Sequence, residues 1–143
     1  MKAILIREPG DPDVLVYGDA PDPQPAEDEL LVRVHATALN RADLLQRKGG
    51  YVPPEGASPI LGLEVAGEVV SAGGGWNAGD RVMAVITGGG YAELAAVPIG
   101  MLMPIPRAFS YEQAAAIPEA YLTAWLNLFT MGRLNSGEAV LIH

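Results

Sequence analysis

The feature that most constrains this chain is how its apolar residues are interrupted. Over the first two thirds, short β-type runs are closed by glycine or proline: KAILI, VLVYGD, EVAGEVVSAG, GDRVMAVIT, YAELAAVP and MLMPIP. The longest, ELLVRVHATALN, places Val32, Val34, Ala36 and Ala38 on one face and Arg33, His35 and Thr37 on the other. Many short strands with such punctuation suggest a small barrel or sandwich. Seventeen Gly and twelve Pro in 143 residues supply the turns.

Helix signals gather near the end. Ser110 and Gln113 form a capping box ahead of an alanine run. Pro118 opens a second helix and Gly132 closes it. That segment is apolar on most sides, so it seeks burial on more than one face. Trp125 and Phe129, four apart, read as core. The last run, Ala139–Ile142 in GEAVLIH, reads as a buried parallel strand. Such a strand needs neighbours and crossover helices. The expectation is therefore an N-terminal piece of a longer protein, with a dinucleotide-binding fold to follow. The terminal His143 has no readable role.

Composition narrows the function classes. A net charge of −8 repels phosphate backbones and predicts no nucleic-acid partner. No apolar run is long enough to predict a membrane span or a signal-peptide core, so the expected location is cytoplasmic. With no Cys and two His, disulfides and thiolate zinc sites are both excluded.

The segment ALNRADLLQRKGGYVPPEGASPILGLEVAGEVV holds most of the residues capable of chemistry. Asn40 reads as a helix N-cap and Asp43 as an acid in the first helical turn. Gln46 and Arg47 read as solvated. Tyr51 follows two glycines that allow close approach to a ligand. Glu64 sits among apolar residues and needs a partner, either an Arg or a structural hydrogen bond. Gly88-Gly89-Gly90 is no phosphate loop, because a strand follows it rather than a helix. Gly73-Gly74-Gly75 reads as a strand-linking loop and His35 as a solvated side chain.

These motifs, with GDRVMAV and AAAIPEAYLTAW, resemble the zinc-free medium-chain dehydrogenase/reductase superfamily, in its NADPH:quinone oxidoreductase (zeta-crystallin-like) branch. The resemblance runs from Met1 to His143. It implies a mainly β fold with flanking helices: a GroES-like β-barrel catalytic domain over 1–117. Residues 118–143 would be a connecting helix and the first strand of a Rossmann domain. Zinc-dependent relatives carry a Cys near Arg41 and a Gly-His-Glu motif where this chain has Gly62-Leu63-Glu64, so no zinc is implied. The implied activity is hydride transfer from NADPH to a small-molecule quinone or an electron-poor carbonyl compound. The resemblance makes Tyr51, Asn40 and Asp43 catalytic candidates. Asn40, Tyr51, Pro118 and Thr123 would contact the cofactor. Thr123 has an alternative role, bonding back to a helix carbonyl.

Two other functions stay open: enoyl reduction within the superfamily, and a non-catalytic interaction module. The sequence holds no glycine-rich pyrophosphate loop, so the chain alone is expected to bind NADPH weakly and to be inactive. Exposure of segments 118–131 and 139–142 predicts self-association as a homo-oligomer.

Overall fold

The structure, a computed structural model, describes residues 1–142. Strands β1 (Lys2–Ile6) and β2 (Leu15–Asp19) form an antiparallel hairpin. Five more strands make a second antiparallel sheet: β3 (Glu29–Thr37), β4 (Glu64–Val69), β5 (Arg81–Val85), β6 (Leu94–Pro98) and β7 (Met103–Pro104). Their order is β6-β3-β4-β5-β7. The segment before β6 joins the two sheets, with Ile4 N–H donating to the Tyr91 carbonyl at 2.8 Å and Glu93 N–H to that of Lys2 at 3.0 Å. The fold is mainly β with flanking helices, as expected.

One face of the larger sheet packs Val32, Val65, Val82, Ala84 and Val97 into the main core. The other face carries Ala66 and Met83 against helix α2 (Tyr111–Ala115). The capping box forms as read: Gln113 N–H donates to Ser110 Oγ and Ser110 N–H to Gln113 Oε1.

The even alternation expected along β3 breaks. Val34 pairs with Gly67 but Ala36 with Ala66, so His35 is an extra residue in a β-bulge. Val34 packs on the main core while Ala36 packs on the α2 side. Gly67 permits this, because a Cβ there would stand 2.0 Å from the Arg33 carbonyl oxygen. His35 is exposed but not merely solvated. It stacks on Tyr111 at 4.3 Å; the Tyr111 hydroxyl donates to Glu68, and the Arg81 guanidinium lies over the Tyr111 ring.

Helix α1 (Arg41–Arg47) follows β3, and α3 (Pro118–Trp125) follows α2 and widens into a π-helical turn over Leu126–Met131. Trp125 and Phe129 are not core. They touch each other at 4.6 Å, and Trp125 is 62% exposed. Ala139–Ile142 forms no strand, since a strand needs an adjacent backbone and the described residues present none to it. The terminal His143 lies outside the described residues. Among those residues no helix is long and apolar enough to cross a membrane.

Candidate functional site

Asn40 ends β3 in an extended conformation and leads into α1. Its backbone N–H is held by Asp43 Oδ2 at 2.8 Å, the backbone half of a capping box. Its side-chain amide serves another purpose: Nδ2 reaches β4 and donates to Glu64 Oε1 at 2.8 Å.

Asp43 is more than an acid favoured by the helix dipole. It is 2% exposed, and its two oxygens take three donors. Besides Asn40, Gly62 N–H reaches Oδ1 at 3.1 Å and the Tyr91 hydroxyl reaches Oδ2 at 2.9 Å. Such a set satisfies a buried carboxylate without a cation.

Two glycines bring these distant residues together. Gly62 has φ +101°, and a Cβ there would fall 2.6 Å from the Tyr91 ring and 2.7 Å from Gly90 Cα. The two segments touch backbone to backbone: Gly90 N–H donates to the Gly62 carbonyl and Tyr91 N–H to that of Leu61. The Gly88-Gly89-Gly90 run therefore shapes this crossing, and it sets Tyr91 against Asp43. Tyr91 is the site residue that the sequence reading missed. Its signal, an aromatic after three glycines, was present but carried no indication of its partner. Burial first, then the Asp43 charge, pushes the Tyr91 hydroxyl well above its ordinary range. It is a fixed O–H donor at neutral pH.

Glu64 is also 2% exposed. It pairs with no Arg among the described residues; instead Oε2 accepts the Glu119 N–H at 2.9 Å, one of the free N–H groups at the start of α3. The same residue's carbonyl accepts from the Thr37 hydroxyl at 2.7 Å. One carboxylate thus ties the start of α1, through Asn40, to the start of α3. Among the described residues no ion pair reaches Asp43 or Glu64.

The remaining candidates divide. Thr123 lies on α3 one turn past Glu119. Its hydroxyl donates to Glu119 Oε1 at 3.3 Å and not to a helix carbonyl. Pro118 is fully buried at the first position of α3, so it sets where the helix begins and offers no side-chain surface to a ligand. Tyr51 is half-buried in the loop between α1 and β4, and its hydroxyl makes no hydrogen bond among the described residues. Arg47, read as solvated, is instead 7% exposed. Gln46 is half-buried. Asn40, Asp43 and Glu64 are brought together by direct bonds, and Thr123 joins them through Glu119. Tyr51 has no such link. Among the described residues no group of three or more His, Cys, Asp or Glu could hold a metal ion.

A family model described as the alcohol dehydrogenase GroES-like domain matches residues 26–107. The synaptic vesicle membrane protein VAT-1 homolog of Mus musculus is 41% identical over 126 residues, covering 85% of this chain and 30% of that protein. A quinone oxidoreductase of Rattus norvegicus is 36% identical over 148 residues, covering 100% of this chain and 45% of the relative. The chain thus spans less than half the length of these relatives. Among solved structures, the quinone oxidoreductase of Thermus thermophilus, solved also as its complex with NADPH, superposes with a TM-score of 0.79 at 39% identity, covering 96% of this chain and 43% of that one.

Proposed function

The chain belongs to the alcohol dehydrogenase GroES-like domain family of the medium-chain dehydrogenase/reductase superfamily, and from that premise we propose that it forms the substrate-facing part of an NADPH-dependent quinone reductase that works without zinc. The observation that carries the reading is the double use of Glu64. It holds the Asn40 amide on one oxygen and the α3 N-terminus on the other, fixing Asn40 and the helix of Thr123 in one frame. Relatives named quinone oxidoreductase, one of them solved with NADPH, support the choice of reaction and cofactor. The absence of cysteine and Leu63 in place of a histidine support metal independence.

The residues present fit a nicotinamide ring. An anchored amide, a helix hydroxyl bonded only to a neighbouring side chain, and exposed apolar side chains of α3 offer polar contacts and a flat wall. When bound, NADPH supplies the hydride. Asn40 and Thr123 orient the ring. Pro118 and Glu64 fix the angle of α3. Asp43, clamped by Gly62 and Tyr91, holds Asn40 in place and acts as a positioning residue. Tyr51 donates its phenolic O–H to the quinone oxygen on which negative charge develops. The chain alone binds NADPH weakly, and the cytoplasm is its proposed location.

The test is NADPH oxidation by the complete gene product carrying this sequence, in chelator-treated buffer, with 1,4-benzoquinone and with an enoyl thioester. Quinone turnover without added metal, lowered about 10²-fold by Asn40→Ala or Tyr51→Phe, is expected for groups that orient or stabilise the transition state. No oxidation with any quinone would overturn the proposal. Faster turnover of the enoyl thioester would move the assignment to enoyl reduction.

A further inference from the structure

Glu119 is the acid in the first turn of α3, where the helix dipole favours one. Two contacts give it a larger place. Its backbone N–H is held by Glu64 Oε2 at 2.9 Å, and its own Oε1 takes the Thr123 hydroxyl at 3.3 Å. It is half-buried, and no ion pair reaches it among the described residues.

The two carboxylates differ in what they have left to offer. Glu64 is buried and already holds the Asn40 amide and the start of α3, whose partial positive charge offsets its own. Glu119 has only a neutral hydroxyl, at a long distance for an O–H bond. Its charge is therefore the surplus one beside Thr123. That hydroxyl, with its proton given to Glu119, is left as an acceptor. Both groups suit a positive charge.

We propose that Glu119 sets the redox poise of the bound cofactor: its carboxylate stabilises the oxidised nicotinamide, a cation, over the neutral reduced ring. The inference rests on the reductase reading, in which Thr123 meets that ring. In the net reaction a hydride leaves the reduced ring and, with a proton from solvent, converts the quinone to a hydroquinone. The ring loses two electrons with that hydride and becomes positively charged. An anion beside Thr123 stabilises this charge as it develops. Tyr51, as the donor to the quinone oxygen, answers the opposite charge. Glu119 acts by its charge and through Thr123, as a positioning residue rather than a catalytic one.

The test is calorimetric binding of NADP+ and of NADPH to the complete gene product, unaltered and as Glu119→Gln. Glutamine keeps the size of the side chain and an acceptor for Thr123. The affinity for NADP+ should fall about tenfold while that for NADPH changes less than about twofold, the size expected for a partly screened charge beside a cation. The potential of the bound couple should then rise by about 30 mV, the two-electron equivalent of a tenfold change. Glu119→Asp, which keeps the charge, should keep most of the preference. If the glutamine variant does not fold, Glu119→Ser removes the same charge and should shift the ratio in the same direction. A structural role alone would weaken both forms alike. That result, or a ratio unmoved by loss of the charge, would overturn the proposal and leave the reductase reading standing. Failure of the unaltered protein to bind either form would overturn both.

Discussion

Replacing Asp43 with Asn separates two accounts of this residue. If Asp43 only favours the helix dipole, its charge contributes about 0.3–1 kcal/mol. The structure gives a larger figure. Gly62 N–H meets Oδ1, and Asn40 N–H and the Tyr91 hydroxyl meet Oδ2. An asparagine offers one oxygen and one NH2, so at least one buried N–H faces another donor. The better placement keeps the oxygen with Asn40 and Tyr91 and strands Gly62 N–H. A hydrogen bond to a charged group contributes about 1.5–3 kcal/mol, and a stranded buried donor costs about 1–3 kcal/mol by itself. These overlap in part, so the expected loss is about 2–4 kcal/mol, a large share of a stability of about 5–15 kcal/mol. Urea unfolding monitored by tryptophan fluorescence reads it. With a slope of about 1–3 kcal/mol/M, the midpoint should fall by about 0.7–4 M with the slope unchanged. A loss below about 1 kcal/mol is what the dipole alone gives, and would refute the network account. A double-mutant cycle with Tyr91→Phe should show coupling above about 0.5 kcal/mol.

Alkaline titration probes Tyr91 separately. Its folded-state pKa lies above the unfolded value near 10, so the native state keeps a proton that the unfolded chain releases. That stabilisation is complete below pH 10 and declines as pH rises toward the folded value. Tyr91→Phe should flatten the decline seen by urea unfolding between about pH 10 and 11.5, leaving the smaller share of Tyr111, whose pKa is also raised. Gly67→Ala puts a Cβ 2.0 Å from the Arg33 carbonyl oxygen, and strand separation should cost at least about 3 kcal/mol; a fully stable variant by thermal melting would contradict the bulge geometry. Trp125→Ser with Phe129→Ser should reduce concentration-dependent association in sedimentation velocity without lowering stability by more than about 0.5 kcal/mol, because both side chains are exposed. Unchanged association would mean that this face is not the contact.

Local order decides what could be read from the sequence. The strands were legible because alternation and the Gly or Pro after each run act within a few residues. The same holds for the Ser110–Gln113 cap, the start of α3 at Pro118, and the placing of Asn40 and Asp43 at a helix start. The resemblance to a family supplied the arrangement of the barrel, which no local rule contains. The site itself depends on long-range contacts. Asp43 and Tyr91 are 48 positions apart, and they meet because Gly62 and Gly90 let two loops touch backbone to backbone. Glu64 could have sought an arginine; its donors are an amide 24 positions earlier and a helix N–H 55 positions later. The bulge at His35 reversed the faces of β3 because Gly67 leaves room for the Arg33 carbonyl. Arg47 carries a residue type that sequence reading places in water, yet it is buried on the inner side of α1. Trp125 and Phe129 show the converse: helical spacing marked an apolar stripe, but a stripe becomes core only where another element covers it. Periodicity fixes which side of an element is apolar. What lies against that side is set by segments distant in the chain.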